Sequence, residues 1–285
     1  MKLLMSQLAA TNMVYKKFSF DYFLDSMDQA GGSTDWNYMG AAIISICMTD
    51  DPNMDCQYAK KNCQRWGFSV VYSDARGKYI YAINIAGTGS TISEIKLLSS
   101  IRNLLRQQWN WSAHRCCFAL EDLTGTGRCR KVISMEEILM EKLTRHAEKY
   151  GITLMYENLN ERESPLATTR FDQFRVVKDI DSPNLKCCVD TVPVAYTGET
   201  LEQYFEVLGD KLAHIHLNDG RPFGHMKWGD GFQNLDEHLN AMRKYNYKGT
   251  ITMEMANGAY RLDPEPHYRA NIETLRKHFD GGELV

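Results

Sequence analysis

Four short runs in the second half of the chain alternate apolar side chains with positions able to carry chemistry. They are Ile152-Thr153-Leu154-Met155-Tyr156-Glu157-Asn158, Leu185-Lys186-Cys187-Cys188-Val189-Asp190-Thr191, Leu212-Ala213-His214-Ile215-His216-Leu217-Asn218-Asp219-Gly220 and Thr250-Ile251-Thr252-Met253-Glu254-Met255. In an extended strand, alternate residues share a face. Counted back from Glu157, Asp190, His216 and Glu254, one face carries Met155, Cys188, His214 and Thr252, mixed and partly polar. The other carries Ile152, Leu154 and Tyr156; Leu185, Cys187 and Val189; Ala213, Ile215 and Leu217; Ile251, Met253 and Met255. That second set is apolar throughout, as strand faces covered by helices are. The three carboxylates and the imidazole therefore share the face turned away from the helices, each at the C-terminal end of its strand. A parallel β/α barrel gathers its active site at that end.

The rest of the chain reads in the same way. Leu3 to Ala10 predicts an opening strand, and Ser19 caps a helix through Phe20 to Met27 that stops at Gly31. Asp35 to Gly40 predicts a second strand. A helix from about Met54 to Trp66 follows, and Phe68 to Ser73 is a third strand with β-branched and aromatic content. Thr91-Ile92-Ser93-Glu94 is a capping box opening a helix to about Gln108, and Arg115 to Leu120 reads as strand four. Ser134-Met135-Glu136-Glu137 opens a helix that runs to Tyr150. Further helices are expected over Thr169 to Val177, from Thr200 to Gly209, over Leu235 to Tyr245 and over His267 to Phe279. Eight strand-then-helix units in 285 residues give about 36 residues each, the unit size of a (β/α)8 TIM barrel. No linker or composition shift divides the chain, so residues 1–285 are expected to form a single domain. A doubly wound open sheet needs a Gly-rich phosphate turn after its first strand, which this chain lacks.

Composition narrows the partners rather than the fold. Hydrophobic residues make up 44% and charged residues 24%, ordinary for a soluble globular protein. A formal net charge of −3 offers no electrostatic footprint for nucleic acid. The eight cysteines are scattered or adjacent within strands and form no CxxC, so they read as small buried hydrophobes in a reducing cytoplasm. Met1 to Gln7 is too short an apolar run for a signal peptide or a membrane span. A cytoplasmic location without membrane association is expected.

The candidate ligands are spaced by 33, 26 and 38 residues, each gap holding one strand-helix-strand step. Three converging carboxylates repel unless some take up protons or a cation joins them. Three oxygens plus one imidazole, with room for two exchangeable positions, suit an octahedral ion such as Mn²⁺, Mg²⁺ or Co²⁺ better than a closed tetrahedral zinc. His214, one layer below His216, reads as a hydrogen-bonded interior histidine.

These residues resemble the xylose isomerase-like TIM barrels of the sugar phosphate isomerase/epimerase family. The likeness is best over Ser134 to Phe279. It is carried by Tyr156-Glu157-Asn158 with Glu163, Ser182 to Lys186 leading into Asp190-Thr191, and Leu208 to Leu212 leading into His214-Ile215-His216. Gly224-His225 leading into Gly229-Asp230-Gly231, and then Glu254, complete it. Within the family the ketose 3-epimerases and the fructoselysine 3-epimerase type look most similar. The resemblance implies one divalent metal, Mn²⁺ first and Mg²⁺ or Co²⁺ as alternatives, held by Glu157, Asp190, His216 and Glu254. It implies proton transfer next to a ketose carbonyl through a metal-bound enediolate, with Glu157 and Glu254 as the acid and base on opposite faces. Glu163, Arg221 and His225 are expected to bind substrate. Where family members place a His after strand two, a Pro-Glu after strand three and a His three residues after the metal Asp, this chain has Ile44, Asp74-Ala75-Arg76 and Pro193. An intact metal site with an altered specificity pocket is expected.

Other functions use parts of the same pattern. A lyase on oxo-sugars, of the inosose dehydratase or C-glycoside-cleaving kind, uses the same deprotonation but expels a leaving group, and would bring a small partner subunit. An endonuclease-IV-like enzyme shares Leu217-Asn218-Asp219 but needs more metal-binding histidines and a less acidic balance. A non-catalytic relative would bind no metal. The expected partners are a small sugar and other copies of the chain, as a dimer or tetramer.

Overall fold

The computed structural model describes residues 3–11, 13–15, 17–31, 43–47, 69–73, 81–84, 137–138, 140–145, 147–148, 153–161 and 167–280. Eight strands close into a barrel in chain order. They are β1 (Leu8–Thr11), β2 (Ile43–Cys47), β3 (Ser69–Ser73), β4 (Tyr81–Asn84), β5 (Thr153–Glu157), β6 (Leu185–Asp190), β7 (Leu212–His216) and β8 (Thr250–Met253). The described helices with defined ends are α1 (Phe20–Gly31), α2 (Arg170–Ile180), α3 (Thr191–Thr197), α4 (Leu201–Leu208), α5 (Leu235–Lys244) and α6 (Pro264–Arg276). The fold is a closed eight-stranded β/α barrel, as the alternation predicts. Among the described residues, no helix is long and apolar enough to cross a membrane.

β1–β3 and β5–β8 run parallel to their neighbours in those groups and across the β8–β1 closure. β4 runs antiparallel to both β3 and β5. Only residues 74–80 separate β3 from β4, and a parallel return needs a crossover of a dozen or more residues. So short a connection leaves only the reversed direction. The expected fourth strand, Arg115 to Leu120, lies outside the described residues, and Tyr81–Asn84 takes its place between β3 and β5. The expected second strand, Asp35 to Gly40, also lies outside them, and β2 is Ile43–Cys47. The opening strand starts later than the apolar run predicts, because Met5–Gln7 forms a 3₁₀ turn first.

Elsewhere the local signals act as expected. Thr169 and Thr200 each close a capping box, with Asp172 and Gln203 as the returning side chains. α6 begins at Pro264, three residues before the predicted His267, since proline at the first helical position gives up a donor that has no helical partner anyway. α3 has no periodic signature in the sequence; it is nucleated by Asp190, whose side chain accepts from Val192 N.

The predicted faces hold with one correction. Leu154, Tyr156, Leu185, Cys187, Val189, Ile215, Leu217, Ile251, Met253 and Met255 all join the core between strands and helices. Ala213 does not: it packs with Met155 and Cys188 inside the barrel, while Leu212 joins the helix side. The pairing passes from Cys187↔Leu212 to Cys188↔His214, leaving Ala213 unpaired. Such a bulge inverts the facing of everything below it on the strand.

α2 locks the two strands that carry the first ligands. Gln173 is fully buried, and its Nε2 donates to Tyr156 O and Cys188 O at 2.7 Å each, spanning β5 and β6. Gln173→Ala would leave two buried carbonyls without that donor. A loss of roughly 1–3 kcal/mol is expected, read as a lower urea midpoint at unchanged slope; an unchanged midpoint would remove the clamp from the account.

Candidate functional site

The register explains how residues far apart in the chain reach one place. Glu157 pairs with Cys188, Cys188 with His214, Asp190 with His216, and His216 with Thr252. Relative to this ladder Glu157 is one two-residue step low, Asp190 and His216 are level, and Glu254 is one step high. Every offset is even, so all four keep the inner face. Strand tilt makes such staggered positions meet across a barrel. The result is a cluster in which one donor atom from each of Glu157, Asp190, His216 and Glu254 lies within 4.8 Å of the others, all four residues buried.

Side-chain and backbone bonds across the strand ends fix the cluster. Asn158 Nδ2 donates to Asp190 O at 3.2 Å and its Oδ1 accepts from Asp190 N at 2.7 Å, joining β5 to β6. Thr191 Oγ1 donates to Asn218 O at 2.8 Å and accepts from Asn218 N at 2.9 Å, joining β6 to β7. Leu217 N donates to Thr252 O at 2.9 Å, carrying the β7–β8 ladder past His216. The sequence offered no signal for the Asn158 and Thr191 bridges.

His216 Nδ1 lies 2.6 Å from Glu157 Oε1 and 3.0 Å from Glu254 Oε2. Neither approach has hydrogen-bond geometry, and both ring nitrogens, together with Glu157 Oε2, are buried without a hydrogen-bond partner among the described residues. Among the described residues, the ion-pair partners of these carboxylates are the imidazoles of His216 and His225. Burial raises the Glu157 carboxyl to about 7 against the pull of His216, with Glu254 and Asp190 adding to the rise. Burial also acts to raise Asp190, but His225, His216 and the Val192 N–H outweigh it and hold that group below the usual range. His216 is driven well above the ordinary imidazole value: burial opposes the charge, and the carboxylates of Glu254 and Glu157 overcome it. Orphaned donor atoms and a surplus of buried negative charge fit a divalent cation.

A second group of donor atoms, on Cys188, His214 and His216, is equally close. His214 is already committed, with Nδ1 on Thr250 Oγ1 and Nε2 on Thr252 Oγ1 at 3.0 Å. The Cys188 thiol is pushed up to about 12, chiefly by burial, and stays neutral. This lower layer is interior packing, as expected for His214.

The loop after β7 brings His225 to the cluster. Its Nε2 lies 2.6 Å from Asp190 Oδ2 and 3.8 Å from Glu254 Oε2. The backbone holds it there at φ 41, with its carbonyl accepting from Ala256 N at 3.1 Å. The loop is organised by Asp219, which sequence reasoning did not single out as a site residue. Its Oδ1 accepts from Gly220 N (2.8 Å) and Gln233 N (3.0 Å), and its Oδ2 from Gly229 N (3.1 Å) and Gly231 N (2.8 Å). A Cβ on Gly231 would run into the Asp219 carboxylate and Gly220 N, so only glycine allows this approach. Arg221 stands on the exposed outer part of the loop, bonded to Asp230 O with its guanidinium 5.5 Å from the Phe232 ring centre. Glu163 and Ala75 lie outside the described residues. Pro193 is buried within α3.

A closed eight-stranded barrel with an oxygen-rich, one-imidazole cluster at the C-terminal ends of its strands defines the class: a β/α-barrel with a candidate metal centre. Residues 138–278 match the family described as Xylose isomerase-like TIM barrel, so the likeness read from the sequence is shown over that stretch. The fructoselysine 3-epimerase of Escherichia coli O157:H7 is 30% identical over 139 residues, 48% of this chain and 50% of that protein. The D-psicose 3-epimerase of Enterocloster bolteae is 26% identical over 119 residues, 40% of this chain and 37% of that one. The chain spans about half the length of the curated relatives it matches. Across nearly the whole chain, the fold is that of a 3-keto-D-glucoside 4-epimerase from E. coli (TM-score 0.67, 17% identity, 95% and 99% covered). It is also that of a D-allulose 3-epimerase from Methylomonas sp. (TM-score 0.65, 16% identity, 98% and 99% covered).

Asp219→Ala removes an acceptor shared by four backbone N–H groups. A loss of about 1.5–3 kcal/mol is expected, together with faster proteolysis within residues 220–233; cleavage at the parent's rate would show that the loop is held by other bonds.

Proposed function

We propose that this chain is a divalent-cation-dependent sugar epimerase that inverts a carbon next to a ketose carbonyl by proton transfer. The observation that carries the reading is the buried meeting of Glu157, Asp190, His216 and Glu254 at one mouth of the barrel. The names of relatives matched over half their length, fructoselysine and D-psicose 3-epimerases, support it. Those four residues would hold the cation, Mn²⁺ first and Mg²⁺ or Co²⁺ on the same donors, and it would supply Lewis-acid polarisation of the substrate's carbonyl and neighbouring hydroxyl.

The protein's own groups do the proton work. Glu157 ends β5 and Glu254 lies just past β8, and both reach His216 Nδ1. One accepts the proton from the carbon beside the carbonyl, and the other delivers a proton to the opposite face, so the centre inverts. A cation on these oxygens would make each carboxylate a weaker base, so the acidity that the polarised carbonyl gives the neighbouring C–H bond would contribute more than base strength. Asp190 is kept ionised by its imidazole neighbours and by the Val192 N–H. In this reading His225, which touches Asp190 from the loop, meets a substrate hydroxyl, and Glu163 takes the same role on the resemblance alone. Burial of the cluster keeps bulk water from the deprotonated carbon.

Incubation in deuterated water with D-fructose, D-tagatose, D-allulose and fructoselysine tests the reaction. One of these should gain solvent deuterium at the inverted carbon, thorough chelation should stop the exchange, and Mn²⁺ should restore it. Undiminished exchange after chelation would end the metal reading. Glu254→Gln should lower turnover by about 10²- to 10⁴-fold with an unchanged thermal midpoint.

Cation affinity should also depend on pH in a defined direction. Below its raised pKa the Glu157 carboxyl holds a proton that a cation must displace. Affinity should therefore fall as pH drops below about 7, by up to roughly tenfold per unit for each proton displaced, the His216 imidazolium proton included, with matching proton release in calorimetry in buffers of different ionisation enthalpy. Equal affinity at pH 6 and pH 8 would contradict it.

A further inference from the structure

We propose that the side-chain amide of Asn218 is a substrate-binding group, hydrogen-bonding hydroxyls of a sugar or polyol seated beside the four donors. The class of ligand rests on the epimerase reading above; the residue is identified by an observation of its own. Asn218 is completely buried, and among the described residues neither Oδ1 nor Nδ2 has a hydrogen-bond partner. Buried amides are normally paired, so one with both ends free needs an explanation.

Its backbone is fully occupied. The N–H donates to Thr191 Oγ1 at 2.9 Å, and the carbonyl accepts from Thr191 Oγ1 at 2.8 Å and Gln233 Nε2 at 3.2 Å. The backbone is therefore fixed by the β6–β7 bridge, and the side chain has to find its partners from that position. Direction follows from alternation. Leu217 belongs to the core between strands and helices, and its N–H continues the β7–β8 ladder. The residues flanking it, His216 and Asn218, then fall on the opposite, inner side. The unpartnered Glu157 Oε2 and His216 nitrogens share that side.

The chemistry selects the ligand. A cation would satisfy carboxylate and imidazole lone pairs, but it gives nothing to an amide N–H. That donor needs an acceptor, while Oδ1 of the same group needs a donor. A hydroxyl is both, and two adjacent hydroxyls meet both ends of one amide at once. Asn218 lies next in space to Thr191, which follows Asp190, so a polyol bound at the cluster would meet it directly.

Asn218→Leu keeps the approximate volume and removes both polar atoms; Asn218→Ala is a second variant should leucine lower the thermal midpoint. Mn²⁺-loaded parent and variants are titrated calorimetrically with xylitol, an unreactive polyol, and the metal-free proteins with Mn²⁺. The expected result is unchanged Mn²⁺ affinity and midpoint with xylitol affinity reduced about tenfold or more. Equal xylitol affinity in parent and variants overturns the proposal, and so does a parent that binds no xylitol. A loss of xylitol affinity only in step with Mn²⁺ affinity and midpoint also overturns it, by making the amide structural. Failure of the epimerase reading looks different: no ketose gains solvent deuterium with the parent protein, while the xylitol difference between parent and variants remains.

Discussion

Three carboxylates and one imidazole meet within 4.8 Å in the buried mouth of the barrel, and everything around them answers to that concentration of charge. At an effective dielectric of about 20, two like charges at this distance repel by roughly 3–4 kcal/mol. A protonated His216 would attract each carboxylate by a similar amount, so its three attractions offset the three repulsions and no more. The cost of keeping the surplus negative charge away from water is left over. It can be met by a proton, and Glu157 is raised to about 7 accordingly. A divalent cation meets it more completely, and the orphaned atoms of Glu157 and His216 are those a cation would engage.

A cluster that repels itself stays together only if the strand ends cannot spread. The bonds across those ends have this effect. Gln173 from α2 and Asn158 from the end of β5 tie β5 to β6, Thr191 ties β6 to β7, and the Leu217 N–H ties β7 to β8. Asp219 extends the same logic into the loop, converting a glycine-containing segment into a support that sets His225 against Asp190. Rigid surroundings of this kind hold reacting groups at fixed distances and reduce the reorganisation that proton transfer requires.

Between β3 and β5 the barrel is completed differently from the rest. The reversed β4 fills a place that a parallel unit would otherwise occupy. The candidate ligands all come from β5–β8 and the residue just beyond, where parallel order is unbroken. The stretch matched to the family, residues 138–278, is this same half.

Within that half, much was legible in the chain itself. Period-two alternation marks β5 to β8, because one face of each strand must meet helices and be apolar. The same parity places Glu157, Asp190, His216 and Glu254 on the inner face, and capping residues such as Thr169 and Thr200 locate helix starts. Alternation is a local property, so local sequence is enough to display it. Pairing partners are not local. Which strand lies beside β3, the bulge that turns Ala213 inward, and the bridges made by Asn158, Gln173, Thr191 and Asp219 all depend on segments separated in the chain being brought together. A polar side chain carries no mark of which distant carbonyl or N–H it will meet; only the closed barrel supplies that partner or, at Asn218, leaves it out.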